Sequence, residues 1–380
     1  MNWRVPLFDT DIGQEELDAV TRVLRSGWLT MGEEIKAFEQ EFAAYIGIKH
    51  AIMVSNCSTA LHLAHHVLGA TAGDEVLCPS LTFVATASSI VQTGAKPVFV
   101  DVTSHDDLTV SLDDIVRKIT PRTKGIVVMH YGGYPCAMKR IMEIARKWNL
   151  YVVEDCAHSP GASCPEGMTG TIGDIGCFSF FSNKNLSTGE GGMVVTNRDD
   201  LAARLRLLRS HGMTTVTLDR HKGHAFSYDV AECGFNYRSC EINAAVGRIQ
   251  LKKLTAKNAR RKELVELYQH RFASQEKVIP FFRFVGAGDA SAYHIFPVLL
   301  PAGCDRNVFM AAMRDRRVQT SIHYRPVHTF TAYAGMKARL PVTEGISTRL
   351  VTLPLYPTMS NEQVDSVVAD LMDIVSYLTR

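Results

Sequence analysis

Short apolar runs alternate with longer stretches of helical periodicity through the first two thirds of the chain. Ala51-Ile52-Met53-Val54 reads as a buried strand, and a helix from about Ser58 to Leu68 follows it. Further strands are expected at Glu75–Cys78, Pro97–Val100, Gly125–Met129, Tyr151–Val153 and Gly192–Val195. Apolar runs of this length, spaced by helices, predict a mainly parallel sheet built from βαβ units. Two helices, Gln14–Leu24 and Glu33–Tyr45, precede the sheet and are joined through Ser26–Gly32. After about Leu251 the pattern changes to one long helix. A strand-like stretch Tyr293–Val298, a helix near Arg306–Arg316 and a last helix at Asn361–Leu378 come next. The expected fold is therefore α/β. Residues 1–250 make a large domain with a central sheet flanked by helices, and residues 251–380 make a smaller α/β domain.

Composition narrows the function classes. With 46% hydrophobic and 21% charged residues, the chain has apolar material for an extended core. A formal net charge of +2 gives no electrostatic footprint for nucleic acid. The one basic stretch, Lys252 to Lys262, fits the wet face of a helix whose dry face carries Leu251, Leu254 and Leu264. No apolar stretch is long enough to span a bilayer, and Met1–Asp9 lacks the apolar centre of a signal peptide. Nine scattered cysteines without a Cys-x-x-Cys pair argue against a disulfide framework or structural zinc. A cytoplasmic enzyme is the expectation.

Sheets of this kind bind ligands at the carboxyl ends of their strands, where Ser55, Pro79, His130 and Asp155 fall. The most informative segment is Phe178 to Gly192, which holds Lys184 between aromatic residues and a glycine-rich turn. A desolvated lysine there has the lowered pKa that Schiff-base chemistry requires. Asp155 closes the run Leu150–Val153 and would need a cationic partner if buried. A lysine for an aldehyde and an aspartate for a pyridinium nitrogen are the minimal protein parts of a pyridoxal-phosphate (PLP) site. Ser55-Asn56-Cys57-Ser58-Thr59 joins a strand end to a helix start, which serves either as an anion site or as a plain cap. Neither a Walker loop nor a dinucleotide fingerprint is present. Glu154-Asp155-Cys156-Ala157-His158 is a weak metal candidate, and no metal is expected.

Taken together, these segments resemble the DegT/DnrJ/EryC1/StrS family of PLP-dependent sugar aminotransferases, within the fold-type I aspartate aminotransferase superfamily. The resemblance runs through Ser26–Gly32, Ser55–Leu63, Pro79–Thr86, His130–Pro135, Glu154–Ala162, Phe178–Gly192, Gly234–Arg238 and Leu353–Pro357. It implies that Lys184 carries the cofactor as a Schiff base and then shuttles the proton. Asp155 would pair with the pyridinium nitrogen, and His158 would lie near the cofactor's 3-hydroxyl. Phe83 would stack on the ring, while Ser58, Thr59 and Ser179 would hold the phosphate. Asn236 would reach that phosphate from a neighbouring subunit, so a homodimer is implied. Cys57 stands where many relatives carry glycine. The retained Lys184 favours amino transfer over dehydration, since dehydrating relatives carry histidine there.

The resemblance extends to substrates. Trp28, Thr30, Arg238, His323, Tyr324 and Arg325 are the candidate substrate contacts. The implied reaction moves an amino group from an amino acid, L-glutamate in first place, to a nucleotide-linked ketosugar. A cyclitol or other non-nucleotide ketone is the alternative acceptor. A non-catalytic PLP-binding regulator is a remote alternative, since no DNA-binding extension is present.

Overall fold

The computed structural model of this chain describes residues 2–215, 227–273 and 288–379. The predicted strands are present as β1 (His50–Val54), β2 (Glu75–Pro79), β3 (Lys96–Val100), β4 (Thr123–Met129) and β5 (Tyr151–Asp155). Two-residue strands β6 (Ser163–Cys164) and β7 (Gly167–Met168) form a separate ribbon. Strands β8 (Ile175–Ser179) and β9 (Gly192–Thr196) complete a seven-stranded sheet in the order β1-β9-β8-β5-β4-β2-β3. From β8 through β5, β4 and β2 to β3 all pairings are parallel, and β9 runs antiparallel to both its neighbours. Strand β8 is an addition to the expected set. Its apolar run is broken by Gly176, where a Cβ would come within 2.5 Å of Gly170.

Alternation along the strands distributes the core over both faces. Ile52 and Val54 pack with helices α3 (Cys57–Val67), α4 (Val84–Gln92) and α7 (Asp199–Leu208). Ala51 and Met53 point the other way, into a cluster with Phe38 and Phe42 of α2 (Glu33–Ile46) and Leu254 of the long helix α8 (Glu241–Ala273). Helices α5 (Leu112–Lys118) and α6 (Met138–Trp148) contribute Ile115, Ile141 and Ala145 to a cluster with Leu77, Ile126 and Val152. Helix α1 (Gln14–Ser26) lies on α8 through Ala19, Val23 and Ala245.

Helix α8 begins at Glu241, ten residues before the expected Leu251. Its first turns carry Ala244, Ala245 and Gly247 in place of large apolar side chains, so the hydrophobic pattern is faint there. Smallness has a packing reason, because a Cβ on Gly247 would sit 2.6 Å from the Phe38 ring. The Glu241 carboxylate accepts from the amides of Gly32, Glu34 and Ile35 and so caps α2. The basic stretch differs from the expected wet face. Lys257 and Arg261 are buried, and Arg261 donates to the carbonyls of His294 and Leu355.

The end of α8, with Leu264, Tyr268 and Phe272, enters a second hydrophobic cluster. Here the antiparallel pair β10 (Phe296–Leu299) and β11 (Leu350–Leu353) packs with α9 (Arg306–Asp315) and α11 (Asn361–Leu378), while α10 (Pro341–Ser347) precedes β11. Val5 joins this cluster and pairs with Val318, so the N-terminal segment packs against C-terminal residues. Residue 250, where the sequence suggests a division, lies within the continuous helix α8.

Candidate active site

The carboxyl ends of β4, β5 and β8 and the start of α3 surround a cavity of about 450 Å³. Its walls include Ser58, Phe83, Asp155, His158, Ser179, Lys184, His323 and Tyr324. Lys184 sits in the loop between β8 and β9, its amide bonded to the carbonyl of Phe181 at 2.9 Å. Burial pushes its amine down to about 8, against the upward pull of Asp155 and Cys57. Such an amine has a far larger neutral fraction near physiological pH than an ordinary lysine and can act as a nucleophile or proton carrier.

Asp155 ends β5 and turns into the same cavity. Period-two alternation sends Glu154 to the opposite face. Burial raises the proton affinity of Asp155, and the Thr86 hydroxyl, the Ala157 amide and the Lys184 amine oppose that rise. Thr86 Oγ1 donates to Asp155 Oδ2 at 2.7 Å, and the Ala157 amide donates to Oδ1 at 3.1 Å. Thr86 lies in α4, 69 positions away in sequence, and only the tertiary fold reveals its role.

Three imidazoles gather beside the lysine. His158 Nδ1 accepts from the Gly132 amide at 3.2 Å, so its proton is on Nε2, directed at the Tyr324 hydroxyl 2.7 Å away. His323 Nδ1 lies 2.9 Å from Thr352 Oγ1. His294, which no sequence motif singles out, stands with its Nε2 3.5 Å from the Lys184 amine. Burial lowers the proton affinity of all three, that of His323 to about 4, and the nearby Lys184 charge adds to the effect. Phe83 is 53% exposed, with its ring 5.9 Å from that of Tyr324, so it presents an aromatic surface at the cavity wall.

On the other side of the cavity, α3 starts at Cys57 behind an Asn56 cap, whose side chain takes the Thr59 amide at 3.0 Å. Among the described residues nothing bonds to the amides of Cys57 and Ser58. These amides, the Ser58 and Ser179 hydroxyls and the positive end of the helix form a cradle for an anion. The loop closes tightly against β9, because a Cβ on Gly192 would come 2.5 Å from Asn56.

The profile of the DegT/DnrJ/EryC1/StrS aminotransferase family matches residues 10–372. The chain belongs to this family. It is an aminotransferase. It is 39% identical over 375 residues to the spore coat polysaccharide biosynthesis protein SpsC of Bacillus subtilis, covering 96% of this chain and 95% of SpsC. The aminotransferase TlmJ from Streptoalloteichus hindustanus superposes with a TM-score of 0.91 at 33% identity, over 100% of this chain and 99% of TlmJ. Spr1654 of Streptococcus pneumoniae, described as a putative sugar aminotransferase, superposes in its PMP-form with a TM-score of 0.91 at 25% identity, over the whole of both chains. Spr1654 has also been solved in a PLP-form.

Not every candidate of this aminotransferase reaches the cavity. Thr59 turns its hydroxyl back to the Asn56 carbonyl at 2.8 Å. Arg325 donates to Thr329 and lies over the Phe330 ring, away from the cavity wall. Trp28 donates its indole N–H to the Met31 carbonyl at 3.1 Å. Thr30, Asn236 and Arg238 line a separate open groove with Leu29 and Ser55, and this groove shares Glu190 with the cavity.

Behind the sheet, His130, Glu154 and Cys156 have ligand atoms within 4.8 Å of one another. Their hydrogen bonds define a brace. Glu154 accepts from Gly170, Ile172 and Gly173 amides and from His130 Nε2. His130 Nδ1 accepts from the Cys136 amide, so Nε2 must carry the proton and has no lone pair for a metal. Burial opposes the Glu154 charge, yet these bonds hold its carboxyl below the usual range.

Proposed function

We propose that this aminotransferase uses PLP to move an amino group from L-glutamate to a nucleotide-linked ketosugar. The observation that carries the reading is the Lys184 amine, lowered to about 8 and lining one cavity with the buried Asp155 carboxylate. The residues present fit the cofactor: an amine for its aldehyde, a carboxylate for its ring nitrogen, an aromatic surface and an anion cradle for its phosphate. When bound, PLP supplies the electron sink that makes an amino acid's α-proton removable.

The protein's own groups do the rest. Lys184 takes and returns the proton, a role its near-neutral pKa suits. Asp155, whose charged form is favoured by the bonds from Thr86 and Ala157, would hold the ring nitrogen protonated. Phe83 would cover one ring face, and His158, which accepts from the Gly132 amide and points its Nε2–H at the Tyr324 hydroxyl, lines the pocket beside it. Ser58 and Ser179 hold the phosphate. Asn236 lies outside the cavity of its own chain, which accords with a homodimer in which the groove of one subunit completes the site of another. The sugar acceptor is supported by the likeness to SpsC and Spr1654, and His323 and Tyr324 at the cavity wall are its nearest candidate contacts. Among the described residues no helix is long and apolar enough to cross a membrane, and all nine cysteines are free thiols, which accords with work in the cytoplasm.

The test is the visible spectrum of the purified protein with PLP, before and after L-glutamate. A yellow Schiff-base band that gives way to the pyridoxamine form supports cofactor and donor together. A protein that stays colourless with PLP would defeat the reading. Nucleotide-linked ketosugars and ketocyclitols, offered to the aminated form, then separate the two acceptor classes by which one restores the yellow band.

A further inference from the structure

His294 is held by a chain of bonds whose directions can be assigned. Asn185 Nδ2 donates to the Ala292 carbonyl at 2.7 Å and to Asn258 Oδ1 at 2.8 Å. A carbonyl can only accept, so the Ala292 contact fixes which end of the Asn185 amide is nitrogen. Asn258 is oriented in the same way, its Nδ2 donating to the Pro160 carbonyl at 2.9 Å. Asn185 Oδ1 therefore faces His294 Nδ1 at 2.9 Å as an acceptor, and His294 must donate from Nδ1. What remains on the ring is the Nε2 lone pair, and it faces the Lys184 amine at 3.5 Å.

The backbone of His294 is tied on both sides. Its amide donates to the Gly132 carbonyl at 2.9 Å, and its carbonyl accepts from Arg261 at 3.1 Å. The same Gly132 orients His158, whose ring lies 4.3 Å from that of His294. The charged and titratable groups around His294 are Lys184, His158, Arg261 and His323, all of which disfavour a positive ring. Around Lys184 stand Asp155, Cys57, His158 and His323.

We propose that His294 is a positioning residue for Lys184: its neutral ring, protonated on Nδ1, offers Nε2 to the lysine amine and aims that amine whenever it is free. This rests on Lys184 being the reacting amine. An amine that gives one N–H to His294 has its own lone pair turned elsewhere, toward the cavity, where it exchanges protons with substrate. Asn185 and Asn258 act through His294 by fixing its tautomer.

The test compares wild type, His294→Leu and His294→Gln. Each protein is stripped of PLP, and the rate of Schiff-base formation on adding PLP back is followed against pH. Only the unprotonated amine reacts, so the inflection reads the Lys184 pKa. A neutral acceptor favours the ammonium form, so its loss lowers that pKa. The inflection of His294→Leu is expected about half to one pH unit below wild type, given the long contact. Glutamine places a donor and an acceptor side by side, as the ring does, and His294→Gln should restore the wild-type inflection.

A folded His294→Leu that inflects with wild type overturns the proposal. Should that variant not fold, ¹⁵N-histidine NMR of the wild-type protein decides the matter. A neutral ring with a bare Nε2 is required, and an Nε2-protonated or cationic His294 at pH 7 overturns it. Failure of the underlying function would look different: Lys184→Ala would then still form the Schiff base.

Discussion

Replacing Thr86 with valine keeps the shape of the side chain and removes the hydroxyl that serves Asp155. The bond is 2.7 Å long and fully buried, within the range of a charge-assisted O–H···O⁻ contact. Hydrogen bonds to charged groups contribute about 1.5–3 kcal/mol. At about 1.4 kcal/mol per pKa unit, the Asp155 pKa in Thr86→Val should rise by about one to two units. Burial already holds that pKa high, and of the groups opposing the rise Thr86 is the strongest. The Ala157 bond, at 3.1 Å, is the longer of the two and remains. Because an ionised Asp155 is needed to keep the ring nitrogen protonated, the loss should appear at the acid edge of PLP binding. The assay is the pH dependence of PLP affinity by fluorescence, with Thr86→Ser as the control that retains the hydroxyl. An acid edge that moves up in Thr86→Val and returns in Thr86→Ser supports the argument. Coincident edges in all three folded proteins would refute the role given to Thr86.

Lys184→Ala should lose the yellow Schiff-base band and all turnover, and a variant that turned over normally would remove the centre of the proposal. Asp155→Asn should cripple transfer yet stabilise the PLP-free protein. A carboxyl with a raised folded pKa costs stability as pH climbs above its unfolded value, so the gain in Tm should be seen at pH 8 and vanish below roughly pH 4. Glu154→Gln should destabilise the fold by about 3 kcal/mol in urea denaturation, because either placement of the amide NH₂ faces two buried donors. Asn236→Ala should weaken PLP retention. Mixing it with Lys184→Ala should raise activity at limiting PLP above the sum of the two variants alone if sites are shared between subunits, and no gain would place Asn236 in its own chain's site.

Much of this is legible in the sequence because its signals are local. A strand in a parallel sheet is a short apolar run, and the run, its carboxyl end and the next helix start occupy consecutive residues. Ser58 and Phe83 sit at such helix starts, Asp155 and Ser179 close strands, Lys184 lies in the loop that follows β8, and all five line the cavity. Helix α11 follows the same logic, its period and its Ser360–Gln363 capping box marking Asn361–Leu378 without tertiary help. Where small residues replace large ones the signal fades, as at Gly176 in β8 and at Gly247 in the first turns of α8.

The supporting residues were not legible, for a reason that is physical. Thr86 is one of several hydroxyls in α4, and His294 lies in a segment that reads only as a strand. Each acquires its role from a partner far along the chain, 69 positions for Thr86 with Asp155 and 109 for His294 with Asn185. Arg261 shows the same effect in reverse. Its helical spacing suits a solvated face, yet it is buried where α8 crosses between clusters, and its guanidinium fastens His294 and Leu355 by their carbonyls. A residue that does chemistry must meet ligand, here at a strand end, a helix start or the loop after β8, places the sequence marks. A residue that sets the charge or direction of that chemistry can come from any element packed behind it. Sequence therefore points to the reacting groups of this aminotransferase, while the groups that tune them emerge only from the fold.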